Sequence, residues 1–422
     1  MQTTAASLPA PPRTLGPRAS FWVAAAVVVH TLWTSAAPAM TYPLYRTEWH
    51  LTPTMTTAIF AVYPLFVVAV LILLGDLSDY IGRRTTMLLG LGASLLGVLL
   101  FAVARDIGWV FVGRAFMGIG VGLSASPSAA AVVEFSPPGQ AGRAGALTAS
   151  AQALGLAAAV LVGGALIEYA PFPTRLDFWV LFAFIAAVFA AAWFLPRHTA
   201  AEASGPWRPK VPSVPAGLRS VFLVSATAVA TGYALGAIML SLGSQIARDL
   251  IGSGNAFVNG AALAFFALMA GAAGITAKRL PSRPAMIAGG VSTALGMAFL
   301  ALASARHSLP LFLVASVGTG VGYSLLFLGG LNLVNAHAPA HHRGGTLSAV
   351  FLVAYLTQGT FALLLGRSAT AWGLKPAVEY GSLVLALAGL VAGLLALLSP
   401  LGSRPAPVAA RHSAPVPTPL TR

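Results

Sequence analysis

Gly75-Asp76-Leu77-Ser78-Asp79-Tyr80-Ile81-Gly82-Arg83-Arg84 stands between two stretches, at about 55–74 and 86–104, that contain no charged residue. Each stretch has about 20 residues, the length of α-helix that crosses a hydrocarbon layer of roughly 30 Å. The polar insert therefore reads as the turn joining two membrane-crossing helices, with Gly75 and Gly82 permitting a tight reversal. Lipid offers no hydrogen-bond partner to the backbone, so only helices or closed barrels cross it. The apolar runs here are continuous rather than alternating, which selects helices.

Outward from this turn the pattern repeats along most of the 422 residues, 57% of which are hydrophobic and only 8% charged. A soluble domain carries about a quarter of its residues charged. The reading is an all-α integral membrane protein with twelve spans in two pseudo-symmetric six-helix bundles, over 20–195 and 219–399. Residues 196–218, with Pro196, Pro206, Pro209, Pro212 and Pro215, read as a linker. Residues 1–19 and 400–422 are rich in Pro and Ala without apolar periodicity and read as disordered tails. Arg13, Arg18, the apolar run after Phe21 and Ala37-Pro38-Ala39 together resemble a cleavable signal peptide. Cleavage would leave eleven spans and break the six-plus-six arrangement. With no cysteine, disulfides play no part.

The formal net charge of +14 could suggest a nucleic-acid partner, but its distribution points to membrane topology instead. With the N-terminus inside, two-thirds of the cations fall in cytoplasmic segments, among them Arg83, Arg84, Arg143, Arg208, Lys210, Lys278, Arg279 and Arg343. That excess places both termini in the cytoplasm. The expected setting is a bacterial inner membrane, crossed many times by a monomer.

The two halves resemble each other at a spacing of about 200 residues. Gly118, Gly120, Gly122 and Ser124 recur as Gly318, Gly320, Gly322 and Ser324, and Arg143, Gly145 and Leu147 as Arg343, Gly345 and Leu347. The first loop, from Gly75, has its counterpart at Gly274. Repeats of this kind place a binding site near the midplane, between halves that rock against each other.

Within the first loop, Asp79 can accept bonds from exposed amides at a helix N-terminus. Arg83 and Arg84 can pair with Glu134 at the end of the fourth span. Such a cluster forms in one conformation and separates in another, which makes a latch. Arg114 lies inside the fourth span, where an arginine usually faces a cavity or a partner. Gly118-Ile119-Gly120-Val121-Gly122 could pass for a nucleotide loop, but no strand precedes it and close helix packing explains it better.

On these residues the chain resembles the major facilitator superfamily. Gly75, Leu77, Ser78, Asp79, Gly82, Arg83 and Arg84 match its loop signature G-x-L-[SA]-D-R-x-G-R-[RK], with Tyr80 departing where the family often has a cation. The second copy, Gly274-Ile275-Thr276-Ala277-Lys278-Arg279, lacks the aspartate. Arg114 with Gly118 is similar to the family motif whose arginine is implicated in proton coupling, although Met117 replaces the usual glutamine. Gly155, Gly163 and Gly164 sit as in the antiporter signature G-x-x-x-G-P-x-x-G-G, with Ala159-Val160 in place of its central Gly-Pro. The resemblance implies a drug-efflux-like secondary transporter working by alternating access.

The ten acids all lie away from the middle of a span, so the candidate proton carriers are Arg114 and His30, the one histidine deep in a span. Glu48, Asp106 and Asp249 at the interfaces are alternatives. The expected cavity lining is Trp33, Tyr42, Tyr45, Tyr63 and Gln152 from the first half, and Tyr233, Asn259, Asn332, Tyr355 and Gln358 from the second. Rings and amides without a deep acid cluster suit lipophilic or weakly anionic solutes. The reading is proton-coupled export of small amphipathic compounds, with no cofactor. Its rivals are a proton-coupled importer of an organic acid or sugar and a non-transporting membrane sensor. No catalytic triad, phosphate loop or metal-spaced cluster points to an enzyme. His337, His341 and His342 read as a solvated loop.

Overall fold

In the computed structural model the described residues are 14–137, 141–197, 214–277 and 280–399. Twelve long helices follow in chain order. They are α1 (Pro17–Ala36), α2 (Pro53–Leu74), α3 (Arg83–Ala102), α4 (Ile107–Glu134), α5 (Ala141–Tyr169), α6 (Leu176–Ala192), α7 (Arg219–Ser241), α8 (Ala256–Ala277), α9 (Ser282–Arg306), α10 (Leu309–His337), α11 (Ala340–Trp372) and α12 (Leu374–Leu398). Eleven are long and apolar enough to cross a membrane, counting α1 together with its extension to Glu48; α6 is shorter but equally apolar. Large exposed side chains such as Leu65, Leu89, Leu383, Leu387 and Leu394 cover the outside of the bundle, as contact with lipid requires.

Local chemistry sets the ends. Thr52 caps α2 by accepting from the Met55 amide, with Pro53 in the first turn, and Asp106 caps α4 by accepting from Gly108 N at 2.8 Å. The first loop folds into a short helix, Leu77–Ile81, and reverses at Gly82, whose φ of 84° a side chain would strain. Helix α1 starts at Pro17, so Pro17–Ala19 belong to its first turn and not to the expected tail of residues 1–19. The first span is also not continuous. Pro38 has no amide to donate, and the chain passes through a 3-10 turn, Ala37–Ala39, before resuming as Tyr42–Glu48.

The halves pack alike. In the first, α4 packs on α1, α2 and α3, α1 on α5, and α3 on α6; in the second, α10 packs on α7, α8 and α9, α7 on α11, and α9 on α12. The glycine-rich runs are where α4 and α10 touch their neighbours most closely. Gly118 and Gly122 face α2 while Gly120 faces Ser94 and Gly90 on α3. In the second half the alternation is reversed, Gly320 facing Phe266 on α8 and Gly318 and Gly322 facing α9. Gly118 therefore corresponds in space to Gly320, two residues beyond the register that the glycine repeat suggests in sequence. Both ranges agree, since α4 starts at Ile107 and α10 at Leu309.

The halves meet along two seams, α2 with α11 and α5 with α8. At the end remote from the first loop, hydrogen bonds tie them together. Thr54 Oγ1 and Thr370 Oγ1 are 2.8 Å apart, Ser244 Oγ donates to the Ala39 carbonyl at 2.6 Å, and Ala256 N donates to Glu168 Oε2 at 2.7 Å. Arg46 and Asp249 form an ion pair across the same end at 3.1 Å. At the first-loop end the bonds of Arg83, Arg84 and Arg283 each stay within one half. The apolar core follows suit: one cluster runs through the first half and the remote end of the second, whereas Leu218, Val221, Val224, Leu326, Val334 and Ala396 belong to a separate cluster.

Candidate functional site

Helices α2, α7, α10 and α11 bring aromatic side chains together at the centre of the bundle. Tyr233 on α7 lies edge-on to Tyr355 on α11 with centroids 4.7 Å apart, and is 5.9 Å from Phe327 on α10. Tyr323 stacks on Phe327 at 6.1 Å and meets Phe266 of α8 edge-on at 5.9 Å. Gln358 Nε2 lies beside Gly236, as does the Tyr323 ring, and its Oε1 is buried without a partner. Of the expected lining, Tyr233, Tyr355 and Gln358 therefore lie together. Tyr323, Phe327, Phe351 and Phe266 join them and were not foreseen, although Tyr323/Phe327 and Phe351/Tyr355 are i,i+4 pairs that share a helix face. An apolar groove of about 260 Å³ along the α2–α11 seam, lined in part by Ala61, Leu65, Leu356 and Gly359, reaches Tyr355.

The first half contributes Tyr63 and, behind it, Arg114. The Arg114 guanidinium is fully buried and lies 4.8 Å from the Tyr63 ring centroid and 5.8 Å from that of Phe60. Its Nη1 donates to the Ser35 carbonyl at 3.0 Å and its Nε to the Ile59 carbonyl at 3.4 Å. The break near Pro38 leaves carbonyls of the last α1 turn short of amide donors, and Arg114 supplies one. Met117 Sδ sits 4.0 Å from Nη1, and Nη2 is buried with no bond among the described residues. Arg114 is thus held by carbonyls and rings with no carboxylate among its bonds.

Other expected residues have different surroundings. His30 is buried with both nitrogens bonded, Nδ1 to the Val27 carbonyl at 2.7 Å and Nε2 to Ser94 Oγ on α3 at 3.1 Å. Trp33 stacks on Phe184 of α6, inside the first half. Tyr42 is buried in the α1 extension with its hydroxyl unpartnered. Asn259 uses its amide to hold the Ser253 carbonyl at 3.1 Å, Asn332 is exposed, and Gln152 is half-buried on α5.

In the first loop, Arg83 bonds Glu134 as expected. Arg84 turns instead to the Trp193 carbonyl, with the Trp193 ring 5.9 Å away. The expectation that Asp79 caps a helix needs correcting for this conformation. Asp79 lies inside the short helix rather than ahead of it, is exposed, and meets only Ser78 Oγ at 3.5 Å. The side chains of Ala277 and Arg143 and all of Lys278 and Arg279 lie outside the described residues.

Comparison with known proteins agrees with this architecture. The family model described as Major Facilitator Superfamily matches residues 22–249. A curated relative, the sugar transporter ERD6-like 6 of Arabidopsis thaliana, is 26% identical over 89 residues, which are 21% of this chain and only 18% of that protein. Among solved structures, a bacterial homolog to the human lysosomal transporter Spinster superposes with a TM-score of 0.69 at 14% identity, covering 91% of this chain and 99% of that one. A D-xylose-proton symporter superposes with a TM-score of 0.72 at 15% identity over 90% and 97%. A peptide transporter in complex with sulfate does so with 0.72 at 17% over 91% and 94%.

Proposed function

Since the chain belongs to the major facilitator superfamily and is a multi-pass membrane transporter, we propose that it exports small amphipathic compounds in exchange for protons by alternating access. The observation that carries this reading is the central ring cluster, Tyr63, Tyr233, Tyr323, Phe327 and Tyr355, set between halves that hydrogen bonds and an ion pair tie together at the end remote from the first loop. In this reading the termini lie in the cytoplasm of a bacterial cell, and the end tied by the Thr54–Thr370 and Arg46–Asp249 contacts is the outer one. Rings bind the apolar part of a solute and tyrosine hydroxyls its polar part. The groove along α2–α11 gives a lipophilic compound a lateral way in. Arg114, with one buried donor unpaired, is the first-half contact for a polar or anionic group, and His30 is a second coupling candidate.

Proton movement in energised everted membrane vesicles, challenged with a panel of lipophilic drugs and organic acids, tests the reading. Proton release on adding a compound is the expected result. Solute accumulation in right-side-out vesicles without release from everted ones would instead make the chain an importer. Once a compound is found, Tyr233→Ala should raise its KM by roughly tenfold, because aromatic pairs are worth about 0.5–1.5 kcal/mol beyond the area they bury. Tyr233→Phe should stay within a few-fold of the parent, and equal losses in both variants would assign the binding to the hydroxyl instead.

A further inference from the structure

Asp177 opens α6, and at a span boundary it looks like an ordinary interfacial acid. The fold seals it. Its side chain is fully buried, and neither carboxyl oxygen has a hydrogen-bond partner among the described residues. The surroundings are Gly163 on α5, at whose Cβ position Oδ2 would lie 3.3 Å away, and Met40 in the α1 break, which packs against the same glycine. The nearest ionisable side chains on the α1 extension are Tyr45, whose hydroxyl is turned 3.4 Å toward the Thr174 carbonyl, and beyond it Tyr42 and Glu48. Helix α3 presents Phe101 against Phe178 and has no ionisable residue between Arg84 and Ala102. Helix α5 has none from Ala144 to Ile167, and Glu168 beyond them is bonded to Ala256 N. Arg175 precedes Asp177 and Arg114 lies past Tyr42, and neither bonds it. An anion left unpaired in such a site is far costlier than the neutral acid, so the partner that suits these oxygens is a proton.

The adjoining residue connects this seat to the seam between halves. Gly163 faces Asp177, whereas Gly164 faces the Ala256 carbonyl and Phe257 of α8 across the α5–α8 contact. When α8 leaves Gly164, the face of α5 beside the one that covers Asp177 is exposed, which opens a way for water past Gly163 to the carboxyl. We infer that Asp177 is a proton-binding site of the transport cycle, protonated while the remote end is shut and released to water when the α5–α8 seam parts there. The O–H bond breaks, the proton passes to water on that side, and a proton from the same side re-forms the bond before the seam closes, so the site makes closure of the remote end pH-dependent and carries no net proton across the membrane. This goes beyond the proton-coupled reading above, does not depend on it, and can be tested without a substrate.

The chain has no cysteine, so Thr54→Cys with Thr370→Cys places one thiol pair where hydroxyl oxygens now sit 2.8 Å apart, close enough for a disulfide to lock the remote end. Infrared spectra of this protein in lipid nanodiscs are recorded across a pH titration, oxidised and then reduced. In the locked form the carbonyl stretch of a protonated carboxyl should persist into alkaline solution, and after reduction it should titrate away. The band should be lost in Asp177→Asn and displaced in Asp177→Glu on the same cysteine pair. A band that survives Asp177→Asn, is unmoved in Asp177→Glu, or is missing from the locked parent overturns the inference. If Asp177→Asn fails to fold, the glutamate variant decides alone. The vesicle assay fails separately: no proton release with the band present removes the exporter reading and leaves the proton site, while release without the band does the reverse.

Discussion

Gly260→Leu is expected to bring transport to background, a loss of at least about a hundredfold, while leaving each six-helix half folded. A Cβ at residue 260 would lie 2.2 Å from the Val160 carbonyl oxygen, and one at Gly164 nearby would lie 2.7 Å from the Ala256 carbonyl oxygen. Both obstacles are backbone, so no rotamer change relieves them. Overpacking of this kind costs about 1–3 kcal/mol and occasionally more. The strain arises only when the α5–α8 seam is shut, so it moves the balance between conformations instead of the balance between folded and unfolded chain. At about 3 kcal/mol the shut state falls by roughly a hundredfold in population. The check is disulfide yield in Thr54→Cys/Thr370→Cys with and without Gly260→Leu; undiminished cross-linking would refute the expectation. Gly155 supplies the contrast. Its Cβ would meet the Val29 carbonyl at 2.2 Å, but α1 and α5 belong to the same half. Gly155→Leu should therefore lower the amount of folded protein, where Gly260→Leu lowers cross-linking.

The second large effect is expected at Arg114. Arg114→Ala removes the donors to the Ser35 and Ile59 carbonyls and the charge beside Tyr63. Hydrogen bonds to a charged group contribute about 1.5–3 kcal/mol each, and the carbonyls left behind lie within the bundle, Ser35 next to the break in the first span and Ile59 on α2. We expect a lower melting temperature in detergent together with loss of at least tenfold in proton-linked transport. Arg114→Lys keeps the charge but not the planar fork that reaches two carbonyls on different helices, so it should recover stability in part and transport little. Measuring both quantities on both variants separates the roles. Full transport in Arg114→Ala, despite a lowered melting temperature, would make the arginine a purely structural strut of the α1 break.

Much of this molecule was legible because membrane burial is a blunt constraint. A bilayer requires about 20 apolar residues per helix, and continuous runs of that length have few other uses. The stretches read at about 55–74 and 86–104 accordingly fall on α2 (Pro53–Leu74) and α3 (Arg83–Ala102), each end within about three residues. The Arg83–Glu134 contact was also legible, since both residues sit at helix ends facing the same side. The register of the repeat was not. Glycines two residues apart point to different neighbours on a helix, and the run Gly118, Gly120, Gly122 looks the same after a shift of two. The ring cluster was half visible: Tyr233 and Tyr355 stand out singly, but only the packing of α7, α10 and α11 brings Tyr323, Phe327 and Phe351 against them.

Asp177 marks the limit most sharply. In sequence it follows Arg175 at the edge of an apolar run, where acids are common and solvated. Its burial depends on α1 breaking at Pro38 and sending Tyr42 and Tyr45 back over the start of α6, and on Gly163 leaving room beneath. Hydropathy along one helix cannot register such a lid, because it is built from a different helix. The sequence by itself determined the number of helices and their approximate lengths, since those follow from the solvent each segment must satisfy. Which polar groups are sealed, which end of the bundle is tied, and which residues share the centre were decided by tertiary structure, because each depends on atoms brought together from distant parts of the chain.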